Sequence, residues 1–177
     1  ATLPVVPGAV LFDLGVVTDK VRPGAKEGYM ACQNASSGPV AEGSVGAGTS
    51  ATVAKLMGME HAVKGGVGTA SVDLGQDLVV GAVLAVNALG GVYYPHTGEV
   101  LAGPRRDDGT GMHDAMELIT SPGFGFTSGE ATNTTIGVVA TNARLNKEET
   151  NKLASVAHDG MALAVRPAHT MSDGDTI

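Results

Sequence analysis

Asn133-Thr134-Thr135-Ile136-Gly137-Val138-Val139 is the stretch on which the reading of this chain turns. A Thr stands at the head of an apolar, β-branched run, directly after a segment rich in Gly, Ser and Thr. Thr, Ile and Val fit the pleated, half-buried surface of a strand, so the pattern predicts a strand over 134–141. The same position carries a chemical option. A Thr hydroxyl is a weak nucleophile at neutral pH, but the α-amine of an N-terminal Thr can serve as its base. A cut between Asn133 and Thr134 would give Thr134 both groups at once. Alone, the stretch favours an ordinary strand start. A second cluster near the C-terminus, His169-Thr170-Met171-Ser172-Asp173-Gly174-Asp175, shifts the balance.

Downstream of 141 the pattern changes period. Asn146 with Glu149 three residues on forms a capping-box start. Leu153, Val156, Ala157, Met161 and Ala164 recur at helical spacing, and the helix should stop before Pro167. The order from Thr134 to the end is therefore strand, helix, strand, with Asp175-Thr176-Ile177 as the last strand's beginning. Upstream, 9–13 (Ala-Val-Leu-Phe-Asp) reads as a buried strand, and 23–36 as a short helix with Pro23 in its first turn. Segments 65–74 and 77–87 read as two strands joined by a turn at Gly75-Gln76, and 92–94 continues the β character. Between 95 and 133 only 112–119 looks helical. A long irregular stretch of that kind usually belongs to function or disorder.

Composition bounds the class. The chain has 177 residues, enough for one domain with a sizeable core. It is 43% hydrophobic with a mean hydropathy of +0.14, which suits a globular protein. Aromatics make up 3% and Trp is absent, so the core must be built from Val, Ala, Leu, Ile and Met. A net charge of −7 argues against nucleic acid and against an anionic membrane as partners. The single Cys32 allows no intrachain disulfide and favours an intracellular, cytoplasmic setting. No apolar run has the length of a transmembrane helix. The chain starts at Ala1 without Met and stops as a strand begins, so the expectation is a piece of a larger protein, or one whose partner segment lies on another chain.

Several motifs invite chemistry, each with a plainer reading beside it. Gly46-Ala47-Gly48-Thr49-Ser50-Ala51 fits G-x-G-x-x-A, but no good strand precedes it and the acidic residue expected about 20 residues later is poorly matched. A tight loop with close backbone packing is the better reading, and its N–H groups could line a pocket. Lys55 lies among Val53, Ala54, Leu56 and Met57, where burial would lower its pKa and let it act on protons. Asn87 ends an apolar strand, as a turn residue or as an amide donor to an oxyanion. Asp173 and Asp175 sit two apart, on one face if extended or in a turn around Gly174. They could orient a nucleophile and hold a substrate ammonium group. The spacing of His169, Asp173 and Asp175 matches neither a zinc nor an EF-hand pattern, so no metal site and no cofactor are expected.

The ordered set of segments resembles one family. Residues 133–143, Ala157-His158-Asp159-Gly160, Arg166-Pro167-Ala168-His169-Thr170 and Asp173-Gly174-Asp175-Thr176 are similar to the DmpA-type aminopeptidases, which include the β-peptidyl aminopeptidases and the 6-aminohexanoate-oligomer (nylon) hydrolases. Pro4 to Leu14, the loop at 43–55, Lys64 to Ala70 and 83–90 resemble it in the same order. The resemblance implies an α/β (α+β) fold, an αββα four-layer sandwich of the N-terminal-nucleophile type, here incomplete at both ends. It implies a single domain over 1–177 that cuts itself between Asn133 and Thr134 into an α-part, 1–133, and a β-part, 134–177. By the same resemblance Thr134 is the nucleophile, Lys55 the active-site Lys, Asn87 the residue near the oxyanion, and Asp173 with Asp175 the acidic pair of the nylon-hydrolase branch. Phe12 stands where nylon hydrolases have Tyr. Phe12, Gly46 and Gly48 are assigned to substrate binding. The implied activity is hydrolysis of small peptides, β-peptides or ω-amino-acid oligomers through a Thr acyl-enzyme, without a cofactor, in a homo-oligomer of tetramer size. An inactive fragment acting as an assembly partner is the competing expectation, and a small-molecule binder using the 43–51 loop is a third.

Overall fold

A computed structural model describes residues 6–125 and 132–177. The elements run in the order α1 (Ala25–Gln33), β1 (Thr52–Val53), β2 (Val63–Lys64), β3 (Gly66–Asp73), β4 (Val79–Asn87), β5 (Gly91–Tyr93), β6 (Val100–Ala102), α2 (Ala115–Thr120), β7 (Thr134–Thr141), α3 (Lys147–Ala164) and β8 (Val165–Arg166), with short 3₁₀ turns at Gly46–Gly48 and Met59–His61. The result is a mixed α/β fold with antiparallel sheets.

The principal sheet has the order β3-β4-β7. β4 is its centre, antiparallel to both neighbours, in register from Val80↔Thr141 to Asn87↔Thr134 on one side and from Gly66↔Val86 to Asp73↔Val79 on the other. The free edge of β7 is taken by the C-terminal residues, which run parallel to it. Asn133 bridges Asp173 and Ile136 bridges Thr176, with Thr176 N–H donating to Thr135 O and Gly137 N–H donating to Thr176 O, both at 2.9 Å. The expected final strand is thus present as a short parallel ladder. Two smaller sheets, β1-β2 and β6-β5-β8, complete the β content.

α3 starts where the capping box predicts. Asn146 Oδ1 accepts from Glu149 N–H at 2.9 Å, and Glu149 Oε2 accepts from Asn146 N–H at 2.8 Å. Met161 on its inner face joins Val53, Ala54, Ala88, Ala102 and Val165 in one buried cluster, with Leu84, Val86 and Ile177 packed at its margin. This cluster ties the helix to all three sheets through aliphatic side chains, as a composition poor in aromatics requires. A second cluster, Leu56, Leu89, Tyr93 and Ala115, seats α2.

Two expectations change. Residues 9–13 do not form a strand: they run as irregular chain, with Val10 82% exposed. An apolar run becomes a strand only where it docks on an edge in register, and this one pairs with none of the described strands. The helix expected over 112–119 begins three residues later, because the Asp114 carboxylate accepts from Met116 and Glu117 N–H and so fixes the N-cap there. α1 forms inside 23–36 but buries none of its residues. The Gly/Ser/Thr-rich run at 120–129 falls partly, and Pro4 of the N-terminal segment wholly, outside the described residues.

Candidate active site

The antiparallel register brings the site together. Asn87, the last residue of β4, is directly opposite Thr134, the first of β7. Opposed residues of an antiparallel pair lie about 5 Å apart. Asn87 is 1% exposed and its amide is fully engaged. Oδ1 accepts from Thr52 N–H at 3.0 Å, Thr52 Oγ1 at 3.4 Å and Lys55 Nζ at 2.9 Å. Nδ2 donates to the carbonyls of Phe12 at 3.0 Å and Thr132 at 3.1 Å. One amide therefore joins β1, the N-terminal segment, the residue before Asn133 and the Lys ammonium.

Lys55 follows β1 after Ala54, whose φ of 61° lies in the left-handed region. A non-glycine residue held there stores on the order of 1–2 kcal/mol of strain. The bend is pinned by Ala54 N–H donating to Gly90 O at 2.8 Å and Lys55 N–H donating to Leu89 O at 2.9 Å. Lys55 Nζ then reaches Asn87 O at 3.2 Å as well as the Asn87 amide oxygen. Burial pushes the ammonium pKa down from 10.5 to about 8, against the Asp173 carboxylate, which raises it. An amine poised at that value can gain and lose a proton near neutrality.

Thr134 is 8% exposed, and its Oγ1 donates to the Asn133 carbonyl oxygen at 2.6 Å. The same oxygen accepts from Gly174 N–H at 2.8 Å. Asn133 is itself buried, its Nδ2 donating to Ser172 O at 3.1 Å. The hydroxyl and the carbonyl it would attack are thus in contact, and the carbonyl is already polarised by a backbone donor.

The two carboxylates fix the frame around this bond. Asp175 Oδ1 accepts from Thr135 N–H at 2.8 Å, and Oδ2 accepts from His169 N–H at 3.0 Å and lies 3.2 Å from His169 Nδ1. Asp173 Oδ2 accepts from Thr170 Oγ1 at 2.6 Å and Thr170 N–H at 3.2 Å, while Oδ1 accepts from Leu89 N–H at 3.3 Å. Both acids are occupied with backbone amides, Asp175 with those of Thr135 and His169 and Asp173 with those of Thr170 and Leu89.

The structure therefore collects Lys55, Asn87, Asn133, Thr134, Asp173 and Asp175 in one place. Phe12 joins through its carbonyl alone, with its ring side 45% exposed. Gly46 and Gly48 lie in the 3₁₀ turn that packs on β3, where a Cβ on Gly48 would meet Val67 N at 2.5 Å and Gly43 O at 2.8 Å. Close backbone packing accounts for Gly48, as the plainer sequence reading has it. Sequence reasoning passed over Thr52 and Thr170, which orient Asn87 and Asp173. Thr170 is three residues from Asp173 and Thr52 is 35 residues from Asn87, and neither carries a signature of its own.

The family described as peptidase family S58 matches residues 1–177. An uncharacterized aminopeptidase of Mycobacterium leprae (strain TN) is 42% identical over 184 residues, covering 99% of this chain and 48% of that protein. An uncharacterized aminopeptidase of Mycobacterium tuberculosis (strain ATCC 25618 / H37Rv) is 42% identical, covering 99% of this chain and 50% of its own length. A 6-aminohexanoate-oligomer endohydrolase of Paenarthrobacter ureafaciens is 33% identical, covering 100% and 50%. The chain spans about half the length of the curated relatives it matches.

Proposed function

This chain belongs to peptidase family S58, and we propose that it carries the reacting residues of a self-processing amide hydrolase. The observation that carries the reading is the pairing of a buried Thr134 hydroxyl with the Asn133 carbonyl at 2.6 Å, under a backbone donor. Thr134 Oγ attacks that carbonyl, and the cut yields residues 1–133 and 134–177. The freed α-amine of Thr134 then acts as general base for substrate. Thr134 attacks a substrate amide, the Asn87 amide and nearby N–H groups stabilise the oxyanion, and water hydrolyses the acyl-enzyme ester. Lys55, with its lowered pKa, tunes proton traffic beside Asn87. Asp173 and Asp175 hold the cut site in register and offer negative charge to a substrate ammonium group. The names of the relatives support an oligoamide substrate, either a small peptide or an ω-amino-acid oligomer.

The same reading extends to architecture. α3 covers one face of the β3-β4-β7 sheet, and on the other face Val83 and Val138 lie open, the latter 66% exposed. A second sheet stacked on that face would complete an αββα sandwich. Assembly of processed units as a homo-oligomer belongs to the same proposal.

Mass measurement of the purified chain under denaturing conditions tests the core of it. Two pieces ending and starting at 133 and 134 are expected, and a Thr134→Ala variant should remain a single chain with no hydrolytic activity. A Thr134→Ala variant that is cut and active would refute the assignment.

A further inference from the structure

We propose that Gly174 is the positioning residue of the processing step, acting through both its N–H and its missing side chain. The inference rests on the reading of Thr134 as the attacking group. Gly174 N–H donates to the Asn133 carbonyl at 2.8 Å, on the oxygen where negative charge develops during attack. A Cβ at Gly174 would stand 2.9 Å from Thr134 Oγ1, closer than real Cβ contacts come, and 3.8 Å from both Asn133 O and Thr134 Cγ2. The crowding would fall on the hydroxyl. Backbone conformation does not call for glycine here, because the φ of Gly174 lies outside the left-handed range. The backbone is also pinned on both sides, by Asp173 N–H donating to Thr170 O at 3.0 Å and Thr176 N–H donating to Thr135 O at 2.9 Å. Space for the nucleophile is what the glycine supplies.

In the step, Thr134 Oγ bonds to the Asn133 carbonyl carbon and the carbonyl electron pair moves onto oxygen, held by Gly174 N–H. Collapse breaks the bond from that carbon to Thr134 N, and the hydroxyl proton ends on the departing nitrogen as part of the new α-amine. The resulting Asn133 ester on Thr134 Oγ is hydrolysed by water to a carboxylate and a free hydroxyl. A methyl at 174 would push Oγ off this line, and misplacement of a reacting atom by about 1 Å can cost on the order of 100-fold in rate.

The test is the time course of intact and cut chain, by mass, for the parent, Gly174→Ala, Thr134→Ser and the Gly174→Ala/Thr134→Ser pair. Gly174→Ala should lengthen the half-life of the intact chain by about 10- to 100-fold. A Ser at 134 keeps the Oγ that the new methyl would crowd and lacks only the γ-methyl, which stands 3.8 Å away, so the double variant should be slowed about 10- to 100-fold relative to Thr134→Ser. Parental cutting by Gly174→Ala would overturn the proposal. So would a double variant that cuts as fast as Thr134→Ser, which would put the crowding on the γ-methyl, or a Gly174→Ala chain that has lost cooperative thermal unfolding, which would make Gly174 a scaffold residue. Thr134→Ala in parallel separates the levels: cutting in that variant would sink the nucleophile assignment itself.

Discussion

β7 and the segment at 6–14 are held to the protein in opposite ways. β7 is paired along both edges, to β4 through eight residue pairs and to the C-terminal residues through a short parallel ladder. The N-terminal segment has one described hydrogen bond to the body, the Phe12 carbonyl accepting from Asn87 Nδ2. Both stretches are mainly apolar, though only Val6 and Val10 are β-branched in the N-terminal one. The difference shows that side-chain pattern supplies the surface of a strand, and a free neighbouring edge decides whether it becomes one. Asn87 is the residue where the two regions meet, since its amide serves both.

The comparison breaks first at Asn87. Asn87→Ala removes the acceptor of Thr52 N–H and Lys55 Nζ and both donors to the Phe12 and Thr132 carbonyls. Buried groups left unpaired carry most of the cost, so unfolding in urea should show a loss of about 3–4 kcal/mol. A loss under about 1 kcal/mol would mean that water replaces the amide and that the site is looser than described.

A smaller effect should appear at Lys55. Its folded pKa, about 8, lies below the usual 10.5, so between those values the unfolded chain holds a proton that the folded chain has lost. Stability from this group is therefore lowest below pH 8 and rises as pH climbs towards 10.5. The rise should be on the order of 3 kcal/mol. Urea midpoints taken across that window should rise for the parent relative to Lys55→Met, which lacks the titrating group. Parallel curves would show that Lys55 titrates as an exposed amine. The smallest effect is expected in the loosely held region. Val10→Ser should shift stability by less than about 0.5 kcal/mol, because the side chain is already in water. A larger loss would show that residues 6–14 pack against something in solution.

The sequence made the secondary structure of the C-terminal half legible because each signal there is local. The β-branched run of 134–141, the Asn146/Glu149 box and the stop before Pro167 each act within a few residues, and β7 and α3 follow them. The turn at Gly75-Gln76 fixed the β3-β4 hairpin in the same way. The site residues were legible one by one as candidates, and the resemblance to a family joined them into one site. Spacing alone left Asn87 open between a turn residue and an amide donor, and Asp173 and Asp175 open between one face of an extended segment and a turn around Gly174. What unites them is the Asn87↔Thr134 register and the parallel docking of 173–177, both contacts between residues about 40 or more apart. Asp114 was the local signal overlooked: an acid three residues before Glu117 marks the start of α2.

The Asn87 amide has one more consequence. Its two N–H groups are spent on carbonyls, one of them belonging to Thr132, on the far side of the bond that Thr134 would cut. While the chain is continuous, that carbonyl is tethered in place and would act as a plug. After a cut, Thr132 becomes the penultimate residue of a loose end, and only the strength of local contacts keeps it there. A tail that drifts off leaves a buried, oriented amide donor with nothing to bind, beside a newly made amine. Processing would then be an unmasking: the same scission that creates the base also vacates the seat for the substrate's oxygen, and a chain that has never been cut would have no place to receive one.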